Sequence, residues 1–258
     1  MPFGSPVPQG GRPLTVHTDD GVELAGIVVP AGPGAGPLIF VVAHGFTNST
    51  TRAPVRRLIG WLSAFGEVRA LDFRGHGLSG GGSGVGGDPE MRDVDAAVAA
   101  ARADGAEAVV TLGLSMGGGA VLRQQKDPAA PHRSQARGGT LQRGRRDTWP
   151  MRRVHWLLET TLGRWVLYRL ITHRFDEAWL TPPPSPLQVV SAIAPIPLLL
   201  VHGDRDEYFP LEHFRALAQA AGPTATAWVV PGFGHAESGA TAPLVERIGR
   251  WASATIDP

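Results

Sequence analysis

Ser115 is the residue whose type and surroundings point most directly to chemistry. It is the central residue of GLSMG at residues 113–117, a G-x-S-x-G pattern that follows an apolar run at residues 109–112. A helix-compatible stretch, residues 120–122, comes next. In a sharp strand-to-helix turn of this kind, glycines flank a serine whose hydroxyl is exposed at the helix N-terminus. The pattern predicts a nucleophilic serine; the alternative is a glycine-rich turn with an idle serine.

A serine hydroxyl needs a base that takes its proton, and a carboxylate that orients the base. Where the nucleophile lies on such an elbow, the chain order is serine, then acid, then histidine. His213 and His235 both follow the acidic cluster at residues 204–207. His213 falls within a helical pattern at 211–221, which favours a surface or packing role. His235 lies on a glycine-flanked loop after the last strand-like run, and we predict that it is the base.

Three carboxylates compete for the role of the acid: Asp204, Asp206 and Glu207. Asp204 comes directly after a turn glycine, where an aspartate usually caps backbone N–H groups. Glu207 is compatible with a simply solvated side chain. We therefore predict that Asp206 is the acid that orients His235.

Backbone amides that face the developing oxyanion are a further requirement of acyl transfer, and each contributes about 10²–10³ in rate. HGFT at residues 44–47 lies at the carboxyl end of a strand-like run at 38–43, the edge at which ligands bind in open parallel sheets. We predict that the N–H groups of Phe46 and Met116 form the oxyanion hole. A plain turn after a strand is the alternative, because His-Gly pairs are weak motifs.

The elements that must position these residues alternate along most of the chain between short apolar runs and segments of helical period. This pattern is typical of the α/β class, with a mainly parallel central sheet and helices on both faces. The predicted strands are 14–17 and 22–29, which form an antiparallel hairpin, then 38–43, 68–71, 108–112, 197–201 and 225–230. The predicted helices are 52–65, 91–103, one after Ser115, 211–221 and 244–254. A chain of 258 residues is compatible with one core and a small excursion from it.

The alternation fails in the middle of the chain. Residues 124–148 contain Lys126 and five arginines, with Leu141 as the only large aliphatic residue, so they do not form a buried strand. We predict an α/β core at residues 1–123 and 190–258, and an aberrant basic segment plus a helical cap at 124–189. Lys126 is also the only lysine of an arginine-rich chain, which suggests a locally shifted reading frame. An intact mass of the native protein that matches the written sequence would exclude that hypothesis.

Residues 151–171 have apolar side chains at helical spacing with arginines between them, the pattern of one amphipathic helix. Aromatic residues at helical spacing usually face a core, so ordinary core packing is one interpretation of Trp149, Trp156 and Trp165. Binding to a membrane surface is less favoured, because the basic residues are not confined to one face.

Composition excludes several classes of function. With 24 basic and 23 acidic residues the formal charge is +1, which gives no field for nucleic acid, and we expect no nucleic-acid partner. No window approaches the roughly 20 apolar residues of a membrane span, so no stable membrane insertion is expected. The absence of cysteine excludes disulfides and thiolate chemistry. Residues 1–11 lack the features of a secretory signal, so we expect a cytoplasmic location. Nothing indicates an oligomeric state.

The chain resembles the α/β-hydrolase family over most of its length, apart from the middle section. The resemblance is carried by five loops in family order: HGFTNS at 44–49, LDFRGHGLS at 71–79, GLSMGG at 113–118, HGDRDEYFP at 202–210 and GFGHAE at 232–237. The family acid stands three residues after its loop glycine, which matches Asp206. The loop that holds Arg74 and His76 is usually structural in the family. Family caps are inserted in the middle section and cover the acyl pocket, so the resemblance implies that Trp149, Trp156 and Trp165 shape an apolar substrate pocket. A serine at the elbow argues against the dehalogenases and epoxide hydrolases of the family, which use aspartate there. The family also has a strand between residues 124 and 151, and this sequence has no apolar run there.

These observations predict a serine hydrolase, most concretely a carboxylesterase that cleaves small to medium apolar esters through an acyl-Ser115 intermediate. The expected partner is a small-molecule ester substrate, and no metal or organic cofactor is expected. A peptidase or perhydrolase with the same three residues, or a catalytically inactive binding homologue, are the alternatives. A metal site built from His44, His202 and His235 is disfavoured, because these residues lack the short ligand spacing of zinc motifs.

Overall fold

The computed structural model describes residues 10–84, 88–125, 148–171, 173–175 and 184–256. Most of the predicted basic segment, residues 126–147, lies outside the described residues, as do residues 1–9 of the N-terminus. The expectations about a missing strand and a shifted reading frame therefore stay predictions. No helix within the described ranges is both long and apolar enough to span a membrane.

A five-stranded mixed sheet is formed by strands in the order β1-β2-β4-β3-β5. Its strands are β1 Arg12–His17, β2 Glu23–Val29, β3 Leu38–Ala43, β4 Gly66–Leu71 and β5 Ala108–Gly113. β1 and β2 form the predicted antiparallel hairpin, and β2 also pairs antiparallel with β4. β3 runs parallel to both β4 and β5, with Ala43 opposite Gly113. Because these parallel strands end side by side, the loops that follow β3 and β5 lie next to each other.

A second, two-stranded parallel sheet consists of β6 Leu198–Gly203 and β7 Ala225–Val230. Gly203 is opposite Val230, so the loops that hold the predicted acid and base also leave the sheet together. Within the described residues, β5 and β6 belong to separate sheets and share no ladder.

Helices cover the sheets. They are α1 Ala53–Leu62, α2 Asp88–Ala103, α3 Met116–Gln125, α4 Trp149–Glu159, α5 Thr161–Ile171, α6 Pro186–Val189, α7 Leu211–Ala221, α8 Ala236–Gly239 and α9 Ala242–Ile256, with a 3₁₀ turn at Val190–Ile193. Buried side chains of α1 and α9 pack in one apolar cluster, and those of α2, α3 and α7 pack in another. Since the alternating side chains of the strands enter both clusters, the sheets are covered on both faces. The predicted α/β architecture is confirmed.

The single cap helix predicted at 151–171 is wrong, because the structure has two helices there, α4 and α5. Thr160 separates them with an extended backbone, φ −102° and ψ 144°. Its hydroxyl donates to the carbonyl of Trp156 and accepts from the N–H of Gly163, so one side chain ends the first helix and begins the second. Threonine also occurs inside helices, where its hydroxyl can bond the carbonyl four residues earlier. The apolar spacing alone therefore did not reveal the break.

Candidate active site

Ser115 lies between the end of β5 and the start of α3, on the predicted elbow. Its φ is 53°, a left-handed backbone that is uncommon for a residue with a side chain. The glycines on either side are required by close approach: a Cβ at Gly113 would overlap the carbonyl oxygen of Gly117, and one at Gly117 would overlap that of Ala43. The elbow thus presses α3 against the ends of β3 and β5, and this packing explains the G-x-S-x-G pattern.

A continuous chain of hydrogen bonds joins Ser115, His235 and Asp206. The distance between Ser115 Oγ and His235 Nε2 is 2.8 Å, and the distance between His235 Nδ1 and Asp206 Oδ2 is 2.7 Å. A carboxylate accepts from a protonated Nδ1, which leaves Nε2 as an acceptor for the serine hydroxyl. The structure therefore brings together the three residues for which the sequence predicts nucleophile, base and acid, in a geometry suited to proton abstraction.

The loop after β6 holds Asp206 in its ionised form. Its side chain is 4% exposed, and Oδ1 accepts from the backbone N–H groups of Tyr208 at 2.8 Å and Phe209 at 3.1 Å. Burial raises the pKa of this carboxyl, but the bond to His235 and the two backbone donors outweigh burial and lower the pKa below its usual range. Both oxygens are fixed, so the carboxylate orients His235 as well as attracting its proton.

The competing candidates lie in different surroundings. Asp204 accepts from the N–H of Gly232 at 2.7 Å, which is the loop-capping role expected of it. Glu207 is exposed at the edge of the cleft described below. His213 is half-buried in α7. Of the candidates, Asp206 and His235 are the pair that reaches Ser115.

Aromatic rings surround the imidazole of His235. Its ring lies 4.5 Å from that of Tyr208 and 5.6 Å from that of Phe209, measured between centroids. The loop that carries His235 is held to the acid loop by a hydrogen bond from Arg205 N to Phe233 O of 3.1 Å. These contacts restrict the rotation of the ring, which is 18% exposed at its side chain.

The predicted oxyanion donors lie on the two adjacent loops that follow β3 and β5. Met116 is the first residue of α3, where backbone N–H groups have no partner within the helix. Phe46 follows Gly45, whose carbonyl accepts from Asn48 N at 3.2 Å and lies 2.8 Å from His44 Nδ1. The geometry is compatible with two amides facing the space above Ser115, and their role stays a prediction.

The loop after β4 ties its neighbours together, in agreement with a structural role. The buried Arg74 pairs with Asp93 at 2.8 Å and with Asp20 at 2.7 Å. Asp72 accepts from Thr50 N at 2.6 Å, which links this loop to the loop after β3. Neither Arg74 nor Asp72 belongs to the hydrogen-bond chain of Ser115.

A short segment after α5, residues 173–175, is hydrogen-bonded to the same loop. Arg174 N donates to Gly75 O at 2.9 Å, and Ser83 N donates to Arg174 O at 2.8 Å. The ring of His173 packs 4.9 Å from that of Phe46. Burial lowers the pKa of His173 to about 3, so this imidazole is neutral near pH 7. The segment therefore packs against Phe46 through the ring of His173.

A cleft of about 650 Å³ opens above Ser115, within the usual range for small-molecule sites. Its apolar wall is formed by Phe46, Trp149, Met151, Val154, Leu157, Tyr208 and Phe209. Arg153, Arg205 and Glu207 add charge to its lining. Of the three tryptophans, Trp149 lines the cleft, whereas Trp156 and Trp165 do not, so the expectation is wrong for those two. The side chains of Trp149, Trp156 and Trp165 are 60%, 49% and 58% exposed.

Within the described ranges, no group of three histidine, cysteine or acidic side chains is arranged to hold a metal ion. Both ring nitrogens of His44 are engaged with the backbone, at Gly45 O and Phe73 N. His202 Nε2 likewise lies 3.1 Å from Phe209 O. These histidines therefore organise loops around the site.

Two residues that sequence reasoning missed also belong to the site: Glu237 and Asn48. The buried carboxyl of Glu237 accepts from Gly45 N at 3.1 Å and from the side-chain amide of Asn48. Both residues stand inside segments that carry the family resemblance, two residues after His235 and two after Phe46. Their positions beside His235 and within the loop of Phe46 are the sequence signal that could have identified them.

Comparisons with known proteins agree with this architecture. A family model described as serine aminopeptidase, S33, matches residues 37–191, more than half of the chain. The match includes Ser115 and the loop after β3, and it ends before Asp206 and His235. No curated protein matches the chain.

Solved structures of α/β hydrolases share the fold at low sequence identity. An esterase of Pyrococcus furiosus has a TM-score of 0.71 and 22% identity, over 98% of this chain and 95% of that chain. An α/β hydrolase from Penicillium sp. sh18 has a TM-score of 0.68 and 19% identity, over 95% and 98%. A serine hydrolase without lid from Xanthomonas campestris has a TM-score of 0.63 and 19% identity, over 97% of each chain. At these identities the likeness shows the fold alone, and the expected α/β-hydrolase fold is confirmed.

Proposed function

This chain belongs to the serine aminopeptidase S33 family of α/β serine hydrolases, and we propose that it is a carboxylesterase acting on small to medium apolar esters. The observation that carries the proposal is the hydrogen-bond chain from Ser115 Oγ through His235 to Asp206, at 2.8 and 2.7 Å. A serine that donates to a neutral imidazole beside a fixed carboxylate is activated for attack on a carbonyl carbon.

The reaction proceeds in two halves. Ser115 Oγ attacks the ester carbonyl while His235 Nε2 takes its proton, and the oxyanion accepts hydrogen bonds from the N–H groups of Phe46 and Met116. The bond between the carbonyl carbon and the alkoxy oxygen then breaks, His235 donates its proton to the departing alkoxide, which leaves as the alcohol, and the acyl group stays on Ser115 as an ester. In the second half, a water loses its proton to His235 and attacks the acyl carbon. The proton returns to Ser115 as the carboxylic acid leaves.

The cleft supports an apolar substrate of moderate size. A volume of about 650 Å³ accommodates an acyl chain with its alcohol, and the wall of aromatic and aliphatic side chains favours an apolar one. Arg153 and Arg205 lie at the same cleft and are available to a polar or anionic end of the substrate. An esterase among the structural neighbours agrees with ester cleavage in this fold.

Peptide bond cleavage is the second candidate, because the matching family is described as a serine aminopeptidase. An aminopeptidase must bind the ammonium group at the substrate N-terminus, and the exposed Glu207 is the carboxylate at the rim of the cleft. The two activities are separated by comparing p-nitrophenyl esters with aminoacyl p-nitroanilides. Turnover of the anilides with higher kcat/KM than any ester would replace the esterase proposal.

The proposed function is tested by fluorophosphonate labelling and by p-nitrophenyl esters of increasing chain length. We expect one labelled site and a maximum at short to medium acyl chains in the native protein. Ser115→Ala should lose the label and lower kcat by roughly 10⁴- to 10⁶-fold. Ser63→Ala is the control and should match the native protein, because the hydroxyl of Ser63 donates to the carbonyl of Gly60 in α1, away from the cleft. Labelling that survives Ser115→Ala would place the nucleophile elsewhere.

A further inference from the structure

Glu237 is a buried carboxyl that the reaction described above does not use. It lies in α8, two residues after His235, and is 2% exposed. Its Oε1 accepts from the backbone N–H of Gly45 at 3.1 Å and from the side-chain amide of Asn48. Both donors belong to the loop that follows β3. The carboxyl therefore ties the segment of the base to the loop of the predicted oxyanion donor Phe46.

Glu237 holds the peptide unit between His44 and Gly45, which adjoins the peptide unit that carries the N–H of Phe46. The carbonyl of that peptide accepts from Asn48 N at 3.2 Å, while the N–H on the other side of Gly45 is held by Glu237. Because a peptide unit is planar and trans, fixing the carbonyl fixes the direction of the Phe46 N–H. A Cβ at Gly45 would lie 2.9 Å from Glu237 Oε1 and 3.3 Å from the Cβ of Ser115, so this backbone is enclosed between the carboxyl and the nucleophile.

The surroundings of Glu237 raise the pKa of its carboxyl. Among the described residues, no hydrogen-bond donor reaches its Oε2, which is buried. Burial raises the pKa of Glu237, although the backbone donors and the neighbouring His44 and His235 act in the opposite direction. The other charged groups on a packed element are Arg56 and Arg57 of α1, which contacts α8. An uncharged carboxyl keeps Oε1 as an acceptor and places no full negative charge near the forming oxyanion.

We propose that Glu237 is a positioning residue for acyl transfer, which holds Gly45 and Asn48 so that the N–H of Phe46 faces the oxyanion. This inference rests on the proposed function, since it concerns the same site. Glu237 lines the cleft, but its described hydrogen bonds go to Gly45 and Asn48 and not to Ser115 or His235, so it acts through the backbone of the loop. Loss of such an interaction lowers kcat and leaves KM nearly unchanged.

The test compares Glu237→Leu, which removes the acceptor, with Glu237→Gln, which keeps it. Glu246→Leu is the matched control, because Glu246 is an exposed carboxylate of α9 that pairs with Arg250. We expect Glu237→Leu to lower kcat for p-nitrophenyl butyrate roughly 10- to 100-fold, which is part of the contribution of one oxyanion donor, with KM within about 3-fold. Glu237→Gln and Glu246→Leu should stay within about 3-fold of the native kcat near pH 6.

The pH profile separates positioning from a merely structural role. The native carboxyl is uncharged below its raised pKa and becomes charged as the pH rises through it, whereas glutamine stays neutral. The ratio of the Glu237→Gln kcat to the native kcat should therefore increase as the pH rises from below the pKa of Glu237 to above it. A flat ratio, or a Glu237→Leu variant with native kcat, overturns the proposal. Native protein that neither cleaves esters nor reacts with a fluorophosphonate overturns the proposed function together with this inference.

A second variant covers the case in which Glu237→Leu does not fold, as judged by circular dichroism. Asn48→Ala removes one of the two donors to Glu237 and leaves the carboxyl in place. We expect a kcat loss of about 3- to 10-fold with unchanged KM, smaller than the loss from the carboxyl itself. An Asn48→Ala variant with native kcat and KM overturns the proposal.

Discussion

The two sheets contribute different halves of the site and differ in how firmly they are enclosed. β5, which leads to Ser115, is buried along almost its whole length. β7, which leads to His235, alternates between half-buried and exposed residues. The nucleophile thus comes from the interior of the molecule, while its base comes from a strand near the surface. The difference shows that the elbow is fixed by backbone packing, whereas the base depends on loop contacts.

Side-chain packing, within the described residues, joins the two sheets where no strand ladder does. Val109 of β5 and Leu200 of β6 belong to one apolar cluster, and Val110 and Leu199 belong to the other. Each cluster lies on one face of both sheets. The distance between His235 and Ser115 therefore depends on two continuous apolar layers.

The largest effect is expected from the loop that orients the base, where two aspartates stand two residues apart. Asp206→Asn should lower kcat by about 10³- to 10⁴-fold, because the amide no longer stabilises the imidazolium and favours the wrong tautomer. Asp204→Asn should retain activity within about 3-fold, since its carbonyl oxygen still accepts from Gly232 N. Both are measured with p-nitrophenyl butyrate on purified variants.

A larger loss of kcat from Asp204→Asn than from Asp206→Asn would contradict the assignment of Asp206 as the acid. It would mean that the acid loop rearranges before the reaction, and that the 2.7 Å contact between Asp206 and His235 does not represent the working enzyme.

An intermediate effect is expected where the two sheets meet. Leu200→Ala should reduce the free energy of unfolding by about 2–5 kcal/mol, since a fully buried leucine leaves a cavity in a cluster that both sheets share. Leu78→Ala, at a leucine that is 82% exposed, is the matched control and should change stability by less than about 0.5 kcal/mol. Urea unfolding followed by circular dichroism and fluorescence measures both.

The shape of the unfolding curve shows whether the two sheets unfold together. If the apolar layers make one cooperative unit, the native protein and the Leu200→Ala variant unfold in a single transition by both probes. Two separate transitions would show that the sheets are held together weakly, and that the site is assembled from two independent parts.

The smallest effect is expected at α4, which lines the cleft from outside both sheets. Trp149→Ala should raise KM for medium-chain p-nitrophenyl esters by about 3- to 10-fold with little change in kcat, because it removes part of the apolar wall. Trp156→Ala is the control, since this exposed tryptophan lies outside the lining. Equal effects from both variants would show that the cleft has another boundary.

The parts of the fold that local signals determine were predictable from the sequence. The β-branched runs gave β3 and β7 with their observed ends, and helical spacing gave α7. The glycines of the elbow indicated Ser115 because their spacing records a close backbone approach. Asp206 was separable from Asp204 because a carboxylate directly after a turn glycine has a local use.

The remaining features depend on contacts between distant segments. Glu237 stands 192 positions after Gly45, and its bond to that residue has no local signature. The break at Thr160 depends on one hydroxyl with two backbone partners, which apolar periodicity does not record. The exposure of Trp165 is likewise hidden from the sequence, since hydrophobicity alone does not say which way a short helix faces.

The left-handed backbone of Ser115 matters to anyone who engineers this protein for robustness. A side chain in that conformation costs roughly 1–2 kcal/mol, which glycine avoids. Laboratory evolution that selects for heat tolerance alone would therefore favour Ser115→Gly, which removes the nucleophile. Screening for turnover alongside survival keeps the search among working enzymes.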